Sequence, residues 1–316
     1  MVGARAGPCY DPRDPSAKRG SDAPIRAVLD CDTANEVDDQ FAIAHALGLP
    51  GDVLDVRGVI SVHNTIAHGS GSRDMYQDEA ERVVGLCGAG VPCITGADRP
   101  MNSRGEPAPS AGLEFLIDEA RRGPLTVIAT GPATDVASLF VAEPDLRENV
   151  RVVWLGGFGD AEAYGRHKFH ELNGRADIAA WRVLFEEDVD LLHVPGWPAP
   201  AKLLVRAAQF AEEVRAAGNP VSSYLAEILE LWVAEYGGRI DPAGEKILWD
   251  TACIAAVANP ESVTVECRAL PTIDAAAAHD YSLPGREVET VVDLDEGAVL
   301  RGMVEALGRH PESPRP

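Results

Sequence analysis

Short apolar runs alternate with segments of helical periodicity along the first two thirds of the chain. Runs rich in Val, Ile and Leu predict strands, at residues 25–29, 53–61, 125–130, 150–155 and 189–194. Between them, apolar residues recur at helical spacing and predict helices, at 74–87, 112–122, 135–141 and 176–186. Strands that alternate with helices are typical of an α/β fold. We therefore expect a mostly parallel central sheet with helices on both faces, a Rossmann-like open sheet.

The pattern changes toward the C-terminus. Residues 220–259 are dominated by helical periodicity, whereas 264–270 and 287–294 predict the two strands of a peripheral hairpin. The Pro-rich segment 99–110 predicts a loop, and a loop of that length in an enzyme often closes over a site.

We expect one domain between two tails. Residues 1–23 are rich in Gly, Pro, Arg and Asp and lack the apolar run of a signal peptide, so we interpret them as a flexible N-terminal tail. Residues 24–308 predict a single domain, and 309–316 predict a C-terminal tail. The sequence has no run of about 18 apolar residues, so we expect no membrane span.

Composition narrows the choice of partner and compartment. The 28 basic and 50 acidic side chains give a net charge of -22, which disfavours nucleic acid and anionic membrane surfaces and favours a neutral small molecule. The six cysteines show no paired metal-ligand spacing. Because Cys31, Cys253 and Cys267 lie in apolar contexts, we expect reduced core residues of a cytoplasmic protein.

A cluster of acidic residues follows the first predicted strand. Five carboxylates lie within the stretch 30–39, and they are Asp30, Asp32, Glu36, Asp38 and Asp39. The first two lie at the end of a strand and the last two begin a helix, a place where open α/β sheets bind ligands. Like charges this crowded need a cation, and carboxylates suit calcium or magnesium better than zinc. Alternatively, Asp38 and Asp39 only stabilise the helix N-terminus, which would account for two of the five acids.

Further polar or glycine-rich segments follow the later strands or precede a helix. They are 58–64, 128–135, 154–159 followed by 170–177, and 248–252. In the second, the strand ends at Thr130, Gly131 and Pro132 force a turn, and Thr134 with Asp135 can cap the next helix. Each segment alone is a weak signal.

Together and in this order, these segments resemble the inosine-uridine nucleoside hydrolase family, from about residue 25 to about residue 259. Members of that family begin with a strand, a DxD and a DD pair, which are here Asp30-Cys31-Asp32 and Asp38-Asp39. The resemblance implies a calcium-dependent hydrolase that cleaves the N-glycosidic bond of a ribonucleoside or related ribosyl compound and releases base and ribose. It also implies a homodimer or homotetramer.

The resemblance assigns roles to individual residues. It implies one calcium ion held by Asp32, Asp39, the main-chain carbonyl of Thr130, and Asp250. It implies that the ribose hydroxyls are bound by Asp38, Asn64, Glu171 and Asn173. Since calcium would orient a water, Asp32 is placed to accept the proton of that water.

The chain departs from the family pattern at two places. The gap between Asp32 and Asp38 is two residues longer, with Ala34-Asn35-Glu36 in place of a Pro-Gly turn, so Glu36 and Asp38 both remain candidates for the sugar ligand. The family's histidine before the late aspartate is Trp249 here, and its asparagine before Glu171 falls on Gly165. We expect Trp249 to form a wall of the pocket, because an indole can stack on a base without transferring a proton.

The loss of that histidine leaves the departing base without its proton donor. Tyr236 is the first candidate to replace it, and His167 and His170 are the next. A core position is the alternative for Tyr236.

Two other functions remain open. The run 28–33 also resembles the first motif of haloacid-dehalogenase-type phosphatases, which additionally need a lysine and a later acidic pair for magnesium. The chain fits that pattern poorly, since it has four lysines, Lys18, Lys168, Lys202 and Lys246, and its acidic pair follows only six residues after Asp32. The other alternative is a non-catalytic protein that binds a ribosyl ligand, which the replacement by Trp249 favours and the retained acids disfavour.

Overall fold

The computed structural model describes residues 23–239 and 241–312. Most of the predicted tails, 1–22 and 313–316, lie outside the described residues. The main sheet has eight strands in the order β3-β2-β1-β4-β5-β6-β10-β9. They are β1 Ile25–Cys31, β2 Leu54–Ser61, β3 Cys93–Thr95, β4 Leu125–Ala129, β5 Val150–Leu155, β6 Asp190–Val194, β9 Val263–Ile273 and β10 His279–Leu294, while β7 Leu204–Arg206 and β8 Glu245–Ile247 form a separate pair.

Helices cover both faces of the main sheet. They are α1 Asp38–Leu47, α2 Ser72–Leu86, α3 Ala111–Arg121, α4 Thr134–Ala142, α5 Ala161–His167, α6 Asn173–Ala176, α7 Ile178–Glu186, α8 Ala207–Arg215, α9 Pro220–Tyr236, α10 Thr251–Ala258 and α11 Glu296–Leu307. One apolar core packs α1, α2 and α8 to α11 against the sheet, and a second packs α3, α4 and α7 against the other face. The predicted fold class is confirmed.

The C-terminal hairpin belongs to the main sheet. Strand β10 pairs in parallel with β6, with Glu289 opposite Leu192, so the peripheral hairpin is a continuous part of the central sheet. Strand β9 pairs antiparallel with β10 and forms the edge. The stretch 220–259 is divided into α9, β8 and α10. Strand order and this division depend on contacts distant in sequence, which local periodicity does not encode.

Packing continues past the predicted domain boundary at residue 308. His310 is buried, and its Nε2 donates a hydrogen bond to the carbonyl of Ala44 at 2.8 Å. Among the cysteines, Cys31 and Cys253 are buried free thiols, as expected. Cys267 is different, because it lies exposed on the edge strand β9 and is disulfide-bonded. No helix of the described part of the chain is long and apolar enough to cross a membrane.

The strand ends determine where a site can form. Strands β1, β2, β4, β5 and β6 are parallel, so their carboxyl ends meet at one edge of the sheet. The predicted polar segments 58–64, 128–135 and 154–159 cover these ends. Open α/β sheets bind ligands at such an edge.

Candidate active site

A cavity of about 270 Å³ opens at the carboxyl edge of the sheet. Its lining combines carboxylates, backbone of the strand ends, and aromatic rings: Asp32, Asn35, Glu36, Asp38, Asp39, Thr130, Leu155, Gly156, Gly157, His167, His170, Glu171, Leu172, Asn173, Gly196, Trp197, Ile247, Trp249 and Asp250. Eight of the ten residues predicted for the site line it. The other two, Asn64 and Tyr236, do not.

Three buried carboxylates form the floor of this cavity. Asp32 follows β1, Asp39 lies in the first turn of α1, and Asp250 immediately precedes α10. Asp250 makes no side-chain capping hydrogen bond, so its carboxylate does not cap the N-terminus of α10. The Asp39 carboxylate is in hydrogen-bond contact with both Asp32 and Asp250, and it accepts a hydrogen bond from Thr130 Oγ1 at 2.8 Å. Two helix N-termini thus direct their dipoles at one group of acids.

The crowding changes the acidity of the three groups. Burial and then the charge of Asp38 raise the pKa of Asp39 to about 7. Burial and then the charge of Asp39 raise the pKa of Asp32 well above its usual range. Burial, followed by the charges of Asp38 and Asp39, does the same to the pKa of Asp250. These are carboxylates that a nearby cation would stabilise in the ionised form.

The donor set fits a hard divalent cation in kind, since it consists only of oxygen atoms. In the described residues the acids contact one another, and no three His, Cys, Asp or Glu side chains are already spread as a metal-binding group. An ion would therefore have to separate the carboxylates on entering. The carbonyl of Thr130, the fourth expected ligand, lies at the same cavity and accepts a hydrogen bond from Asn173 Nδ2 at 2.6 Å.

Two asparagine side chains donate hydrogen bonds to the Asp32 carboxylate. Asn64 Nδ2 donates to Asp32 Oδ2 at 2.6 Å, and Asn35 Nδ2 donates to the same oxygen at 3.0 Å. Asn64 is fully buried, and its own backbone N–H is bonded to Ser72 Oγ at 3.0 Å. The structure therefore places Asn64 against Asp32, outside the lining of the cavity.

Glu171 and Asn173 lie together at the start of α6. The Glu171 carboxylate accepts hydrogen bonds from the backbone N–H groups of Gly157, Gly174 and Arg175 at 3.3, 2.8 and 3.1 Å. Gly157 adopts φ +70°, a conformation that favours glycine and aims its N–H at this carboxylate. Asn173 Nδ2 bonds the carbonyls of Thr130 and Leu155 and so connects the ends of β4 and β5.

Similarity to known proteins identifies the family of this chain. The family model described as inosine-uridine preferring nucleoside hydrolase matches residues 27–308. The chain belongs to this nucleoside hydrolase family. It is 27% identical to the pyrimidine-specific ribonucleoside hydrolase RihA of Citrobacter koseri, over 90% of this chain and 98% of that one.

Solved structures of nucleoside hydrolases share the fold. A purine-preferring ribonucleoside hydrolase from Gardnerella vaginalis superposes with a TM-score of 0.74 at 18% identity, covering 90% of this chain and 98% of that chain. The plant nucleoside hydrolase PpNRh1 gives a TM-score of 0.71 at 19% identity, covering 90% of this chain and 99% of that chain.

As a family member, this nucleoside hydrolase acts on N-glycosyl compounds, and the alternative of a haloacid-dehalogenase-type phosphatase is wrong. Family members are metal-dependent in general.

Aromatic rings also line the cavity of this nucleoside hydrolase and form an aromatic wall. Trp249 lies edge-to-face with Trp197 at a ring separation of 5.5 Å. His167 stacks on Trp197 at 4.9 Å with only 4° between the ring planes, and His170 lies next to His167 at 6.3 Å. Both histidines line the cavity. Burial, then the neighbouring His170, lowers the pKa of His167.

The placement of Tyr236 does not support its predicted role. Its ring packs on Trp232 at 4.4 Å near the end of α9 and does not line the cavity. The period of a helix places a side chain on a face, but it does not show how far that face lies from the substrate. His167 and His170, which were second in the prediction, are the groups that the fold brings to the aromatic wall.

Sequence reasoning missed a buried lysine beside the site. Lys246, on β8, has no solvent exposure, and its Nζ lies 2.7 Å from Glu36 Oε2, 3.4 Å from Asp38 Oδ1 and 3.8 Å from Asp241 Oδ2. Burial alone would lower its pKa, but the charges of Asp38, Glu36 and Asp241 outweigh burial and raise it. The sequence offered one signal, a lone lysine four residues before Asp250 in a chain with four lysines.

Proposed function

We propose that this nucleoside hydrolase cleaves the N-glycosidic bond of an unphosphorylated ribonucleoside, with calcium as its metal. The supporting observation is the group Asp32, Asp39 and Asp250, buried in a cavity that is also lined by Trp197 and Trp249. Among the described residues, the lining holds six carboxylates and neither Lys nor Arg. Such a lining disfavours a phosphate group on the substrate, because like charges repel in a buried site.

Asp32 is the residue that would accept the proton of the attacking water. Its Oδ2 already receives hydrogen bonds from Asn64 and Asn35, which fix the orientation of the carboxylate. Asp32, Asp39, Asp250 and the Thr130 carbonyl would hold calcium, which when bound orients a water and favours its deprotonation.

The sugar would lie between the acids and α6. Asp38, Glu171 and Asn173 line the cavity and carry the acceptors and the donor that ribose hydroxyls can pair with. Positive charge develops on the sugar ring as the glycosidic bond breaks. The surrounding carboxylates stabilise that charge most in the transition state, so they contribute to the rate more than to ground-state binding.

The base would lie against Trp249 and Trp197. A flat apolar wall stacks on a heterocycle but does not protonate it. His167 and His170 are the proton donors nearest this wall in the cavity lining, and they take the place that Tyr236 held in the sequence prediction. Relatives named pyrimidine-specific and a structure named purine-preferring leave both classes of base as candidates. A cytoplasmic homodimer or homotetramer stays part of the proposal.

The test is a panel of purine, pyrimidine and modified nucleosides, with their 5'-monophosphates as matched controls. Reducing-sugar release is measured after treatment with a chelator and again after adding back calcium or magnesium. We expect calcium to restore turnover on at least one nucleoside and the monophosphates to react far more slowly. Ribosyl ligands that bind without any sugar release would favour the non-catalytic alternative and contradict the proposal.

A further inference from the structure

The turn between β1 and α1 contains a strained residue next to the site. Ala34 within this turn adopts φ +80°. A non-glycine residue in that region is strained and persists only where the surroundings hold it. The turn brings Glu36 to the cavity lining, beside Asp38.

Lys246 fixes the position of this turn through ion pairs. Its ammonium contacts Glu36 and Asp38 together, donates to the carbonyl of Ile247 at 2.5 Å, and lies 4.9 Å from the centre of the Trp249 ring. Burying an ammonium group costs several kcal/mol, and an apolar residue of similar size often stabilises a fold equally well. Stability alone therefore does not account for a lysine here.

Glu36 lines the cavity while it is paired with Lys246. The Glu36 side chain keeps 15% of its surface exposed, whereas Asp38 keeps 6% and Lys246 none. Lys246 approaches Oε2 of Glu36, so the second oxygen, Oε1, is the one that can accept a hydrogen bond from a ligand. The ion pair with Lys246 fixes the direction of the Glu36 carboxylate.

We propose that Glu36 contacts the substrate and accepts a hydrogen bond from a sugar hydroxyl, and that Lys246 is the positioning residue that orients Glu36 and Asp38 for this contact. The inference rests on the proposed function and deepens it, because it assigns a second acidic sugar contact to the turn between β1 and α1. It selects ribosyl ligands that have a free hydroxyl at that position. Analogues that lack this hydroxyl leave Oε1 of Glu36 without a hydrogen-bond donor, so their turnover should be disfavoured.

The test compares a hydrolysed nucleoside with its 2'-, 3'- and 5'-deoxy analogues. For the unmodified protein and Glu36→Gln, kcat and KM are measured on all four. We expect the wild type to prefer the full ribosyl substrate, and Glu36→Gln to lower that preference about ten- to a hundredfold for one of the three analogues. Lys246→Met should lower the preference for the same analogue, and Lys246→Arg should restore part of it.

Lys202→Met is the matched control, because Lys202 pairs with Asp293 at an exposed site and does not line the cavity. It should leave all preferences unchanged. Where Lys246→Met does not fold, Glu36→Gln and Lys246→Arg still decide. If Glu36→Gln keeps all three preferences within about threefold of the wild type, the inference is overturned.

Binding of free ribose gives a readout that does not depend on turnover. Calorimetric titration of the wild type and Glu36→Gln with D-ribose should show at least about tenfold weaker binding by the variant. Equal affinities would contradict the sugar contact. Absence of hydrolysis by the wild type, with weaker ribose binding by the variant, would instead contradict only the proposed reaction.

Discussion

At the scale of single residues, the chemistry of this site depends on carboxylates whose nearest neighbours are other carboxylates. Asp32, Asp39 and Asp250 are each at most 4% exposed. Besides burial, the charge of Asp39 raises the pKa of Asp32, and the charges of Asp39 and Asp32 raise the pKa of Asp250. An arrangement that destabilises the fold is common where a function requires it. The repulsion between these carboxylates is relieved when a cation binds or when positive charge develops in the transition state.

Replacing Asp32 should separate function from folding. Asp32→Asn keeps the shape of the side chain and removes the group that accepts the water's proton. We expect kcat to fall by about a hundred- to ten-thousandfold on the best nucleoside, as is typical for loss of a general base. Steady-state kinetics and circular dichroism of the variant, beside those of the control Asp55→Asn on β2, check this. More than a tenth of normal turnover in Asp32→Asn would assign the proton transfer to another group.

The leaving-group histidines can be tested through the basicity of the group that departs. His170→Gln and His167→Gln should each reduce turnover on a natural nucleoside, up to about a hundredfold or more for the true proton donor. Turnover of a nitrophenyl riboside should change little, because its nitrophenolate group leaves without protonation. Tyr236→Phe serves as the control and should leave both substrates unaffected. Equal losses on both substrates would show that the histidines position the sugar and do not protonate the base.

The sequence predicted which residues gather at the site better than it predicted what each of them touches. Asp32, Asp39, Thr130 and Asp250 follow strands or begin helices at one sheet edge, so their convergence follows from the parallel topology. The contacts of Asn64 with Asp32 and of Lys246 with Glu36 join segments distant in sequence. Such pairs depend on side-chain length and direction in the folded state, which a spacing pattern does not contain.

At the scale of elements, the loops after the strands are held by buried polar bonds. His193 on β6 is fully buried, and its Nε2 donates to the carbonyl of Gly156 at 2.7 Å, just beyond β5. The strands themselves were predictable because their apolar runs are local, and β5 was found at its predicted bounds. The short strands β3, β7 and β8 have three residues each, too few for a periodic signal.

Acid should weaken the fold through His193. Burial lowers the pKa of this histidine from 6.5 to about 4, so between these values the unfolded chain binds a proton that the folded protein does not. Stability contributed by the neutral ring is therefore complete above about pH 6.5 and is lost as the pH falls toward 4. From about pH 7 to about pH 5, the wild type should lose about 2 kcal/mol of unfolding free energy that His193→Gln does not lose.

Urea unfolding of both proteins at the two pH values measures that difference. His193→Gln should be the less stable protein at neutral pH, because it leaves the buried contact with Gly156 imperfect. The gap should narrow in acid. Parallel stability curves for the two proteins would show that His193 is accessible to protons in the folded state.

At the scale of the whole molecule, charge and site act together. The chain has a net charge of -22, and six of its carboxylates line one cavity of about 270 Å³. Lys246 is a buried cation beside this cavity, and it pairs with Glu36 and Asp38. No ion pair joins it to the floor formed by Asp32, Asp39 and Asp250 in the described residues. The charge of Lys246 lowers the pKa of Asp250, but burial and the neighbouring acids still hold that pKa well above its usual range.

Calcium should therefore stabilise the folded protein at this one place. A ligand that binds only the folded state adds about 2.7 kcal/mol of stability at a hundred times its dissociation constant, so the unfolding temperature should rise with calcium and fall with a chelator. Sodium chloride at matched ionic strength is the control, because it screens the overall charge without filling the site. Asp39→Asn and Asp250→Asn should lose most of the calcium response while keeping the salt response. A calcium shift that survives in both variants, or that sodium chloride reproduces, would show that the ion acts on the surface charge and does not bind at the floor of the cavity.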